Sequence, residues 1–300
     1  MTTLVETVRR FACFGSQCTV AVGGPGAERA AADAEAALLT WHRRFTRFSP
    51  GSELSRLNAD PRGTVPVTPT MARFVQAAID AARATDGLVD ATLIAALEDA
   101  GYRRDLPGSL PLSIALGLAP ERRPAAPARR ARWAEVRVDA LANTVSRPPG
   151  VRLDSGGIAK GLFADLAGAA LESSASYAVD CSGDLRLGGR DRLERAVRVD
   201  DPFGRGVHSY ELERCGIATS GIGRRSWLDA HARPAHHLLD PSTLRPAFTG
   251  VVQATALAPT AFEAELRAKC AVLSGPEAAP ACLPDGGLLV LDDGTHHLIP

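Results

Sequence analysis

Only two lysines, Lys160 and Lys269, occur in this 300-residue chain, and the first sits in a segment whose residue types could cradle an anion. In RLDSGGIAKGLFADLAG (152–168), Leu153 and Asp154 run into Ser155, Gly156 and Gly157, after which Ile158, Leu162, Phe163 and Leu166 recur at helical period. The pattern predicts a strand end, a tight turn and a helix start. Such a turn presents free N–H groups at the positive end of a helix, where an anion can sit. Lys160 would add a mobile point charge to those donors. A plain strand-to-helix turn with a surface lysine fits the same residues. The stretch matches neither the Walker A pattern GxxxxGK[ST] nor the dinucleotide pattern GxGxxG.

Four further stretches carry candidate chemistry. In VDCSGDLRLGG, Asp180 and Asp184 flank Gly183 at a bend that glycine explains by itself. GIATSGIGRRSW offers Thr219, Ser220 and Gly221 as hydroxyl and backbone donors. Its Arg224 and Arg225 can reach a phosphate or pair with surface carboxylates. AHHLLDPSTLRP sets His236 and His237 before Asp240 and a proline turn, an arrangement that suits a base or ligand as well as a structural histidine. In APTAFEAELRAKC, Glu265 and Lys269 are four apart and share one helix face. On a helix surface that pairing contributes about 0.3–0.5 kcal/mol.

These residues need elements to position them. Helical spacing is present from Ala27 to Phe48 and again over 71–85, with a turn-rich connection, SPGSELSRLNADPRG, between. LPGSLPLSIALGLAPERRPAAPARRARW, about 106–132, reads as a long Pro/Ala/Arg-rich surface loop. EVRVDALANTVS predicts a hairpin. SYAVDCSGDLRLGG, ERAVRVDDP, CGIATSG, AHHLLDP and VVQATALA read as strand-like, TAFEAELRAKCAVLSG as a helix and GGLLVLDD as the closing strand. Strands with helices packed on them predict an α+β fold, here as one domain over 1–300.

Composition narrows the function. A hydrophobic share of 45% supports a full core, and 34 basic residues balance 34 acidic ones, so net charge favours neither nucleic acid nor an acidic membrane surface. No apolar run has the length of a signal peptide or a membrane span, which places the protein in the cytoplasm. Six cysteines without CxxC spacing predict reduced, mostly buried thiols rather than a zinc site or a disulfide framework.

Taken in order, FGSQCTV, FTRFSPGSELSRLN, DGLVDATL, LDSGGIAKG, VDCSGDLRLGG, ATSG, HHLLDP and APTAFEAELRAKCAVLSG resemble the ApbE family of FAD:protein FMN transferases over nearly the whole chain. The resemblance implies a T-fold-like α+β domain that binds FAD and uses Mg²⁺. It implies passage of the FMN half to a threonine or serine hydroxyl of an acceptor flavoprotein, with AMP as leaving group. It further implies His237 as the base for that hydroxyl. Asp90, Lys160, Ser220, Gly221 and Asp240 would lie against FAD, and Gly157 (through its carbonyl), Glu265 and Lys269 would stand at the metal positions. Where the family offers Asp and Thr four apart, this sequence has Glu265 and Lys269, and an ammonium has no lone pair to give a metal. The MGT of the family's opening motif is Phe14, Gly15 and Ser16 here. Two rival readings accompany transfer: a flavin-binding protein of the same fold that has lost it, and hydrolysis of FAD to FMN and AMP.

Overall fold

The computed structural model describes residues 5–106 and 108–300. The first four residues of the apolar-run reading and one residue of the predicted loop over 106–132 therefore lie outside the described residues. The sheet that organises the chain begins with β1 (Glu6–Cys13) and β2 (Ser16–Gly23), joined by the two-residue turn Phe14–Gly15. Both turn residues have positive φ, 54° and 74°, the twist that a two-residue hairpin needs. Glycine adopts this freely, but phenylalanine does not. Phe14 is held there by its neighbours. Its N–H donates to His42 Nδ1 at 3.3 Å, its carbonyl accepts from Arg225 at 3.0 Å, and its ring stacks on Phe163 at 5.8 Å.

Next come α1 (Ala27–Phe45), with His42, Arg43 and Arg44 in its last turn where the helix dipole favours cations, and α2 (Glu53–Ala59). The sequence pattern reads this second segment as a turn-rich connection, where the structure has a helix. Ser52 caps it by accepting from the Ser55 N–H at 3.0 Å, and Leu54 and Leu57 are buried beneath it. Strand β3 (Thr64–Pro66) leads to α3 (Pro69–Ala84), which starts with Thr68 as cap and proline in its first turn. Then follow α4 (Ile94–Asp99) and α5 (Leu112–Gly117), the latter a helical turn inside the predicted loop. The predicted hairpin forms as β4 (Arg137–Asp139) and β5 (Thr144–Ser146), with β3 completing a three-stranded sheet.

No strand precedes the glycine turn, which corrects the sequence reading. The Asn58 side chain takes both backbone groups of Leu153, accepting its N–H at 2.7 Å and donating to its carbonyl at 2.8 Å. A ladder partner would need those same groups. Helix α6 (Ala159–Leu171) follows, then β6 (Ser176–Asp180), β7 (Asp184–Gly188), β8 (Arg195–Asp200), β9 (Val207–Leu212) and β10 (Gly216–Gly221). The remaining elements are β11 (Ser226–Leu228), β12 (Pro234–His236), β13 (Leu239–Asp240), β14 (Arg245–Pro246), β15 (Val251–Ala258), α7 (Ala261–Ala278), β16 (Gly287–Leu291) and β17 (His296–Ile299). The closing strand is thus β17, not the β16 segment that the sequence pattern picked out. Its residues are exposed or half-buried, so no run of buried residues marks it.

Eight strands join in the order β1-β2-β6-β7-β10-β15-β16-β17, every pair antiparallel, and α1, α6 and α7 pack on them. This is an α+β fold. One core cluster gathers β1, β2, α1, α3 and α6 around Phe45, Phe74 and Phe163, and another gathers β10, β15, α7 and β16. The six cysteines are all free thiols, and no helix among the described residues is long and apolar enough to cross a membrane.

Candidate active site

Two adjoining hollows open where the core clusters meet, and Tyr102, Asp154, Gly156 and Arg225 wall both. The first is mainly apolar, with Asp90, Gly157, His237 and Lys269 as polar or backbone features on its wall. Phe14, His42, Phe45, Phe48, Lys160 and Phe163 line the second. The glycine turn sits between them because its flanks are tied to three parts of the chain. Asp154 N–H donates to the Ala91 carbonyl at 2.8 Å, Ser155 Oγ donates to the Phe45 carbonyl at 2.8 Å, and Arg47 lies 3.3 Å from the Asp154 carboxylate. Burial pushes the Asp154 carboxyl up from its ordinary value.

Lys160 is the second residue of α6, and its ammonium stands 2.5 Å from Asp184 Oδ2 at the start of β7. It is therefore an anchored charge, which corrects the expectation of a mobile one. Burial disfavours its charge, but the Asp184 and Glu265 carboxylates outweigh that and raise its affinity for the proton. Asp184 is fully buried, and burial pushes its carboxyl up to about 6 against the pull of Lys160.

Glu265 and Lys269 do face the same way on α7, and Lys269 Nζ donates to Glu265 Oε1 at 2.8 Å. The pair is not on a surface: the two side chains are 1% and 7% exposed. The other Glu265 oxygen accepts the Gly161 N–H of α6 at 2.8 Å. Burial works against the Glu265 charge, yet Lys269 and Lys160 hold its carboxyl below the ordinary range. Both lysines of the chain thus end in one group of two cations and two carboxylates, in which Asp184, Glu265 and Lys269 are buried and Lys160 is half-buried. This group tests the metal positions. Each Glu265 oxygen already accepts one hydrogen bond, one of them from the Lys269 ammonium, and the Lys269 stem lies against Gly157, 3.8 Å from where a Cβ would stand. No set of three His, Cys, Asp or Glu side chains fit to hold an ion occurs among the described residues. Gly157, Glu265 and Lys269 come together, and with an ammonium in one of the three places their donors do not fit Mg²⁺.

His237 is half-buried on the wall of the first hollow, with Nδ1 buried and without a partner among the described residues. Burial, then Arg225, His236 and Lys269, hold its ring well below the ordinary histidine range, so it is a neutral imidazole. His236 points into the core, edge-on to Phe248 at 4.7 Å, and burial lowers it to about 3. Asp90 lines the first hollow. Its Oδ1 accepts from the Thr92 N–H and Oγ1, both at 2.7 Å, and burial raises its carboxyl.

Ser220, Gly221 and Asp240 are not among the residues lining either hollow. Ser220 and Gly221 end β10 inside the large sheet. Asp240 is taken up by its own turn, accepting from Ser242, Thr243 and the Ala126 N–H. Conversely, Arg47, Tyr102, Asp154 and Asp184 belong to the site or its support. Tyr102 stacks on Trp227 at 5.2 Å, and the Arg47 guanidinium lies 4.6 Å from the Tyr102 ring centre. No spacing in the sequence links Arg47 to Tyr102, because different elements carry them.

This arrangement of sheet and helices is that of solved ApbE structures. An ApbE protein from Thermotoga maritima superposes with a TM-score of 0.81 at 24% identity, over 98% of this chain and 97% of that one. The apo flavinyl transferase ApbE of Pseudomonas stutzeri does so with 0.74 at 22%, over 99% and 96%. The chain belongs to the ApbE family, whose model matches residues 14–289. A FAD:protein FMN transferase of Rhodobacter capsulatus is 30% identical over 273 residues, 86% of this chain and 50% of that protein. One of Treponema pallidum (strain Nichols) is 32% identical over 149 residues, 45% of this chain and 41% of its own length. The chain spans about half the length of the curated relatives it matches, or less.

Proposed function

We propose that this protein binds FAD in the cleft and transfers its FMN moiety to a threonine or serine hydroxyl of a target flavoprotein, releasing AMP. Family membership and the names of the curated relatives support the class of reaction. The observation that carries it in this chain is the meeting of neutral His237 with Arg225 and Lys269 on one wall. Transfer needs both features. The acceptor oxygen attacks the FMN phosphorus as its proton passes to His237, the P–O bond to AMP breaks, and AMP leaves with the bonding pair. Charge gathers on phosphate oxygens during this step, and fixed cations and oriented N–H groups stabilise it. Arg225 and Lys269 supply the cations. The chemistry that Mg²⁺ would supply is the same charge neutralisation, and the donor set gives no support to magnesium at the Gly157–Glu265 position.

The sheet that unites β1 with β17 supports reading 1–300 as one working unit. Six free thiols suit a reducing compartment, and the cytoplasm is the proposed location. Mass spectrometry of a small acceptor flavoprotein domain, incubated with FAD and this protein, tests the proposal. The expected product is an acceptor heavier by one FMN less water, on a single hydroxyl residue, with AMP released in equal amount. FMN and AMP without acceptor modification would mean that water replaces the hydroxyl.

A further inference from the structure

The position between Gly157 and Glu265 already holds a positive charge. The Lys269 stem runs past Gly157, its ammonium donates to Glu265 Oε1 at 2.8 Å, and among the described residues it has no other hydrogen-bond partner. An ammonium has three N–H donors, so two remain for a ligand on a wall that also carries Arg225 and His237. A cation brought to Glu265 would meet the Lys269 ammonium already seated on Oε1, a like charge at hydrogen-bond distance from the same carboxylate. Resting on the flavin-transfer reading, we infer that the Lys269 ammonium is the resident counter-charge for the FAD pyrophosphate. On this inference the protein binds and cleaves FAD without a divalent cation between Gly157 and Glu265.

The arrangement has a physical logic. A lone buried lysine is costly to keep charged, but one held by a committed carboxylate remains cationic where a phosphate must be met. Glu265 is therefore a positioning residue: it aims Lys269 and touches no reacting atom. Lys160 and Asp184 form the neighbouring pair, which places two anchored cations rather than one close to the glycine turn.

The test uses the whole protein, unaltered and as Lys269→Thr and Lys269→Arg, each in chelator and in excess Mn²⁺. FAD affinity is read by flavin fluorescence, Mn²⁺ binding to the FAD complex by electron paramagnetic resonance, and transfer by acceptor mass. The unaltered protein is expected to bind FAD within about twofold under both conditions and to immobilise no stoichiometric Mn²⁺. Lys269→Thr should lose about tenfold or more in FAD affinity in chelator and recover with Mn²⁺, because a charge-assisted contact is lost and an oxygen donor is restored. Lys269→Arg keeps a cation and should remain indifferent to metal. Stoichiometric Mn²⁺ on the unaltered FAD complex, with FAD affinity falling about tenfold in chelator, overturns the inference and leaves flavin transfer standing. That readout does not depend on any variant folding. Failure of the unaltered protein to bind FAD under either condition overturns the flavin reading and this inference together.

Discussion

His237 and His236 are adjacent in sequence and opposite in environment, and this separates their expected roles. His237→Ala should lower the transfer rate by a factor of about 10²–10⁴, as removal of a general base does, while changing FAD affinity little. His236→Ala should instead lower the melting temperature, because it removes a buried ring packed on Phe248. Stopped-flow transfer and thermal melts distinguish the pair, and equal rate losses would remove the base assignment. Asp184 supplies a pH dependence. Its carboxyl is pushed up to about 6 by burial, so below that pH it is neutral and Lys160 gains a net positive charge toward a ligand. FAD affinity should therefore rise as the pH falls through about 6, on the order of tenfold, and Asp184→Asn should bind tightly and flatly with pH. A wild-type affinity that is flat over this range would contradict the coupling. Linkage sets the sign for stability. A folded-state pKa raised from 3.8 to about 6 makes this group's contribution full below the lower value and lost as pH rises through the upper one.

Helix α7 carries Glu265 and Lys269, and its first turn is fixed from α6. Asp165 Oδ1 and Oδ2 accept the Ala261 and Phe262 N–H groups, both at 2.9 Å, and Thr260 Oγ1 accepts from Glu263 at 3.1 Å. Asp165→Ala leaves two N–H groups without these partners and should cost about 1–2 kcal/mol in urea unfolding. Where the helices touch, a Cβ on Gly161 would stand 2.5 Å from the Ala261 carbonyl oxygen. Gly161→Ala must push α6 and α7 apart, at about 1–3 kcal/mol, and should weaken FAD binding as well because Glu265 accepts from that same N–H. A variant with full stability and full affinity would show that the contact is slack. At this scale the sequence was readable wherever periodicity was long. The helices near 27–48 and 71–85 are present at 27–45 and 69–84, and the 135–146 hairpin and β15 are present as expected. Short elements escaped. Seven-residue α2 hides among turn formers, and β17, although it only folds back on β16 just before it, is exposed or half-buried along its length and carries no buried alternation.

Over the whole molecule, the cleft is an assembly property, since its walls come from α1 and its exit, the segment before α4, the glycine turn, Arg225, His237 and α7. Hydrogen exchange with saturating FAD should accordingly slow at 42–48, 88–102, 154–160 and 236–239 together, and at a free-ligand level of 100 Kd global stability should rise by about 2.7 kcal/mol. Protection limited to one of these segments would mean that FAD docks on a single element. The sequence by itself determined the order of motifs that marks the family, the helical face shared by Glu265 and Lys269, and the rarity of lysine that singled out both cations. These are local facts: a residue spacing and a 3.6-residue period suffice to state them. Only the tertiary structure decided that Lys160 meets Asp184 and that the Glu265–Lys269 pair is buried rather than on a surface. It alone placed Ser220, Gly221 and Asp240 off the cleft wall and brought Arg47, Tyr102 and Arg225 together with the glycine turn. Each of those outcomes depends on which strands and helices lie side by side, and strand order is set by packing between segments far apart in the chain, where spacing carries no information.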